Sequence, residues 1–186
     1  MKTIYKSVLT GIKDIKARNE AFKDLTNEAK RKEIAYDSLL LLTAGTIKAA
    51  RGSYWDGNLH ELAREAGRTK EKLQCTLIDI KKSDDCSVCA RGAMMLSAIR
   101  IGNNTTYNGR NGGEVASGSE DTLKGKGFEF DNFLDMEKEY ETSQFKHPYN
   151  ARGKKKLANI CCNVIMNGEF NTTDKTDYLT EYEIKV

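Results

Sequence analysis

The sequence predicts a mainly α protein: a single-domain helical bundle with a minor β element, a short strand or hairpin, and one long Gly/Asn-rich loop. Three observations carry this. Residues 27–43 and 154–168 repeat apolar side chains at helical spacing. The stretch "DDCSVCARGAMMLSAIR", 84–100, is apolar on almost every side beyond its first residues, as befits a helix in the middle of a domain. Residues 102–127 hold seven of the 15 glycines and few large apolar side chains, which reads as one long loop.

In chain order, residues 1–25 mix charges with weakly spaced Ile4, Val8, Ile12 and Phe22, and read as a peripheral, helical N-terminal arm. A domain over 26–171 follows. Its first helix, 27–43, puts Ile34, Ala35, Ser38, Leu39, Leu41 and Leu42 on one stripe with Glu33, Tyr36 and Asp37 opposite, and Gly45 is its expected stop. "TIKAARGSYWDG" contains β-favouring Ile47, Tyr54 and Trp55 and ends on a turn dipeptide, so it reads as extended. Residues 59–67 and 69–82 suggest two short helices broken at Gly67. The apolar helix follows, with Asp84 or Asp85 as its expected cap.

After the 102–127 loop, Phe130, Phe133, Leu134, Met136 and Tyr140 are spaced for a helix to about residue 143. The last helix, "KKKLANICCNVIMNG", has Leu157, Ile160, Cys161, Val164 and Ile165 on one face and Gly168 at its end. A polar tail spans 172–186.

The 30 basic and 27 acidic residues leave a net charge of only +3, far from the excess that phosphate-neutralising proteins carry. Nucleic acid therefore ranks behind other partners. No apolar run reaches the ~20 residues that span a bilayer, and the first twenty residues lack a signal-peptide core, so no membrane role and a cytoplasmic location are expected. In that compartment five cysteines read as free thiols.

The C-x-x-C pair, Cys86 and Cys89, invites three readings. A structural zinc needs four converging ligands, and Cys161 and Cys162, adjacent on a helix, point about 100° apart. His60 and His147 have no partner at ligand spacing. No metal or other cofactor is expected. A reactive thiol would draw on a helix N-terminus, but Asp84 and Asp85 oppose thiolate formation and Arg91 sits two residues beyond Cys89. Packing, with Cys86 and Cys89 on one helix face at i, i+3, is the third reading and the preferred one. Phosphate-loop and dinucleotide fingerprints are absent, and no residue is assigned a catalytic role.

Binding candidates are more substantive. Lys48 and Arg51 stand beside Tyr54 and the sole tryptophan, Trp55, a set able to stack on a base or anchor a protein interface. With Arg91 these form the expected ligand- or partner-binding residues. The run "ARGKKK", 151–156, reads as a solvated helix start, with phosphate or membrane contact as the alternative.

The blocks "KRKEIAYDSLLLL", "IKAARGSYWD", "CSVCARGAMMLS", "FLDMEKEYE" and "KKLANICCNVIMNGEF", in that order, resemble a family of small uncharacterised proteins of bacteriophages, prophages and bacterial genomes. The 102–118 insert departs from it. The resemblance implies an accessory factor, in the host cytoplasm if phage-encoded, acting by stoichiometric binding. Inhibition of a host defence protein or sequestration of a small nucleotide-like signal would be its task, and a homo-oligomer is compatible with it. The rival functions are a thiol enzyme using Cys86 or Cys89, and nucleic-acid binding.

Overall fold

The computed structural model describes residues 5–50, 87–102 and 151–170. These comprise helices α1 (Ile15–Lys23), α2 (Asn27–Thr43), α3 (Ala90–Gly102) and α4 (Ala151–Asn167), and strands β1 (Lys48–Ala49) and β2 (Ser87–Val88). The expected helices over 59–67, 69–82 and up to 143, the 102–127 loop after Gly102, and the 172–186 tail lie outside the described residues.

Helix α2 organises the bundle. Thr26 caps its start by accepting the Ala29 N–H at 3.2 Å. Its end is a Schellman turn: Gly45, at φ +73°, donates to Leu42 O, and Thr46 donates to Leu41 O at 2.9 Å. Gly45 is thus the stop that its position predicts. The chain then extends, and β1 pairs in parallel with β2, Lys48 opposite Ser87 and Ala49 opposite Val88. The Ala50 N–H continues the pairing onto Val88 O at 2.8 Å.

α2 packs on both α3 and α4, while α1 packs on α3 and α4 also touches β1. Arg31 Nε, in the first half of α2, donates to the carbonyl of Gly168 just past the end of α4, at 2.5 Å. The two 17-residue helices therefore run antiparallel. The start of α4 lies toward the end of α2 from which β1 emerges.

One continuous core joins Ile34, Leu39 and Leu42 of α2, Val88 of β2, Met94 and Leu96 of α3, Leu157, Ile160 and Val164 of α4, and Phe170. The all-round burial expected of α3 holds at its described side chains apart from half-buried Arg91, and the expected stripe of α4 is buried as predicted.

Three expectations need correction. α2 is not amphipathic from its middle onward: Glu33, Tyr36 and Asp37, expected opposite the stripe, are buried too. At Glu33 and Tyr36 the cause is the N-terminal segment, which folds over that face. The segment 1–25, expected as a peripheral arm, places Leu9 and Phe22 in the core, and among its described residues only Ile15–Lys23 is helical. Asp14 caps that helix by accepting the Ala17 N–H at 2.7 Å.

The third correction concerns the cysteine pair. Ser87 and Val88 are extended, paired with β1, so the helix starts at Ala90 rather than at an Asp84 or Asp85 cap. Cys86 lies outside the described residues. The helical path expected between the two cysteines does not hold at the residues between them, since Ser87 and Val88 form a strand.

Candidate functional site

Of the five expected binding residues, the structure describes two. Lys48 stands on β1 and Arg91 in the first turn of α3, both half-buried. Arg51, Tyr54 and Trp55 lie outside the described residues.

The β1–β2 pair joins residues that lie 39 positions apart in the sequence. Lys48 is in register with Ser87, and only three residues lie between Ser87 and Arg91. Parallel strands whose second member runs straight into a helix deliver both segments to one end of the fold. Two of the expected cations therefore belong to adjacent segments. Both side chains already make polar or electrostatic contacts.

Cys89 lies between Ser87 and Arg91 in the sequence, and its role is local. Its carbonyl accepts the Ala93 N–H at 2.9 Å, the first turn's hydrogen bond, and its Sγ accepts the Gly92 N–H at 3.4 Å. The thiol thus occupies the place of an N-cap side chain, satisfying a helix-start donor that would otherwise lack a partner. It is buried, as are Cys161 and Cys162. Burial, and secondly the neighbouring Cys162, pushes the Cys161 thiol well above its ordinary value, so it stays protonated. A protonated, buried thiol is a poor nucleophile. Among the described residues no three His, Cys, Asp or Glu side chains group as metal ligands.

A buried polar group that sequence reasoning placed outward lies on the opposite half of α2. Glu33, 2% exposed, accepts the Tyr5 hydroxyl at 2.7 Å and the Val8 N–H at 2.9 Å on Oε1, and the Ser7 hydroxyl at 2.5 Å on Oε2. Ser7 Oγ in turn accepts the N–H groups of Leu9 and Thr10. One carboxylate thereby folds residues 5–10 onto α2, helped by the Tyr5 and Tyr36 rings at 5.3 Å. Acceptor-only chemistry suits the task, since a carboxylate offers about four lone-pair sites to three donors.

The sequence signal was faint. "YDSLL" places Tyr36 and Asp37 beside Ser38 on a helix whose apolar stripe is already wide, and a charge on such a helix is normally assigned to solvent.

The start of α4 carries Arg152, Lys154 and Lys155 in exposed positions and a half-buried Lys156, the solvated start that the sequence suggests. No helix among the described residues is long and apolar enough to cross a membrane. Comparison with family models, with curated proteins and with solved structures finds no match for this chain.

Proposed function

We propose that the protein is a phage- or prophage-type accessory factor that works by stoichiometric binding, inhibiting a host defence protein or sequestering a nucleotide-like signal in the host cytoplasm. The observation that carries this reading is the register of β1 and β2. It places half-buried Lys48 alongside the segment that presents half-buried Arg91. Half-buried cations on paired segments bind anionic or hydrogen-bonding groups at lower entropic cost than cations on freely rotating surface side chains.

The thiol-enzyme alternative loses support at Cys89, whose sulfur is buried and holds the start of α3. Nucleic acid stays the third reading, through Arg51, Trp55 and residues 151–156.

Native mass spectrometry of the protein from its host tests the proposal. A retained small molecule or partner chain at a fixed ratio is the expected result. A target altered many times over by a hundredth of its molar amount of this protein would overturn it.

A further inference from the structure

The two basic features that the sequence keeps apart, the Lys48 region and the run 151–156, belong to one end of the bundle. Gly168, at the end of α4, meets Arg31 near the start of α2, so α4 runs back along α2 and begins toward the opposite end. β1 emerges at that end and touches α4, and β2 leads from it into α3. Lys48, Arg91, Arg152, Lys154, Lys155 and Lys156 are thereby supplied to it by three elements.

Among the described residues of α2, α3, α4 and the strands, charge is unevenly distributed along this axis. From Ser38 to Ala50, from Ser87 to Gly102 and from Ala151 to Gly168 there is no Asp or Glu. The acids of α2, at Glu28, Glu33 and Asp37, and Glu169 beyond α4, precede or follow those segments. At the Glu28 end the cations are balanced, with Lys32 bonded to Glu28. The segments of α2, β1, β2, α3 and α4 that lead to the other end carry only positive charge.

The cations of α4 also occupy the first turns of a helix with no acid there, where the macrodipole disfavours them. Such placement works against the helix, and a bound anion reverses the sign of that effect.

We propose that this end of the bundle binds the phosphates of a nucleotide carrying at least two of them, with Lys48 and Arg91 as half-buried anchors and Arg152, Lys154 and Lys155 as the exposed rim. This rests on the binding reading above and names its ligand class. Five of the six cations already make a polar or electrostatic contact, so the nucleotide adds to or exchanges with those contacts. A small ligand fits the half-buried anchors better than a long polyanion does. The overall charge of +3 also lacks the excess expected for a nucleic-acid backbone.

The test is fluorescence anisotropy of the full chain with a labelled adenosine triphosphate and, separately, a labelled oligothymidylate. The expected result is saturable one-to-one binding of the triphosphate, weakened about tenfold between about 50 and 300 mM salt and by a similar factor in Lys154→Glu/Lys155→Glu. Both positions are exposed and acidic residues suit a helix start, so that variant keeps its fold, which circular dichroism checks.

Absence of saturable triphosphate binding at the lower salt overturns the inference, as does binding that the charge reversal leaves unchanged. Binding of the oligonucleotide alone also overturns it, in favour of nucleic acid. The two proposals fail separately. A partner protein that native mass spectrometry finds retained by the Lys154→Glu/Lys155→Glu variant as well would leave stoichiometric binding standing while the phosphate site falls.

Discussion

Ser38 of α2 and Ser97 of α3 are hydrogen-bonded hydroxyl to hydroxyl at 2.9 Å, with both side chains fully withdrawn from solvent. Ser38 also lies 3.0 Å from Ile34 O on its own helix and 3.1 Å from Ala93 O on the other. Two small side chains let the helices approach closely, and the shared bond keeps the buried oxygens satisfied. Ser38→Ala strands Ser97 and should cost about 1–2 kcal/mol, whereas Ser97→Ala leaves Ser38 its two carbonyl acceptors and should cost less. Ser38→Ala/Ser97→Ala should cost less than the sum of the singles, because no orphan hydroxyl remains. Chemical denaturation of the three variants checks this, and strict additivity would refute the coupling.

Glu33 should matter more to the N-terminal segment than to the helices. Glu33→Ala leaves the Tyr5, Ser7 and Val8 donors without their acceptor, and a loss of about 3 kcal/mol is expected. Hydrogen exchange should rise first at the amides of Val8, Leu9 and Thr10. Unchanged protection there would show that Leu9 packing alone holds the segment.

Gly168 sits at φ +74°, and a Cβ added to it would run into the stem of Glu28. Gly168→Ala should therefore lose about 1–2 kcal/mol from the left-handed backbone, and further stability by displacing Glu28 from Lys32. Glu28→Ala in the same chain should recover the steric part only. Thermal melts of the double-mutant cycle separate the two contributions.

The thiols predict a pH dependence and a labelling pattern. In the unfolded chain Cys161 ionises near its ordinary value, about pH 8.5. In the fold it is held protonated well above that. The folded state thus retains a proton that the unfolded state releases, and its stabilising contribution, complete at neutral pH, declines as pH rises above about 8.5. Urea midpoints measured from pH 7 to 10 should fall, and fall less in Cys161→Ala. At pH 7 iodoacetamide should label Cys89, Cys161 and Cys162 only when denaturant is present.

As a helix cap, Cys89 should accept serine. Cys89→Ser keeps an acceptor for the Gly92 N–H and should leave stability nearly unchanged, whereas Cys89→Ala should cost about 1 kcal/mol. Equal loss in both variants would mean that sulfur volume, and not the bond, is what the position needs.

Helical periodicity made α2 and α4 legible almost to the residue, because Gly45 and Gly168 end them with positive φ and the apolar stripes are long. Local pattern failed where partners come from far along the chain. Nothing near "CSVCA" indicates that Ser87 and Val88 pair with Lys48 and Ala49, so the strand was absorbed into the helix that follows it. Glu33 and Asp37 were read as solvent-facing because a buried carboxylate is rare, and Glu33 is buried only because Tyr5 and Ser7, more than twenty residues away, supply its donors. In the candidate site Lys48 and Arg91 could be picked out individually, but their placement on paired segments could not be foreseen.

The bond between Arg31 and Gly168 spans 137 positions. At translation speeds of about 5–20 residues per second, α2 leaves the ribosome roughly ten seconds before the helix it packs against has been made. During that interval Ile34, Leu39 and Leu42 lack the α4 side of their core, so the nascent chain is a natural client for chaperones. Its rate of successful synthesis should depend on them far more than the stability of the finished protein does.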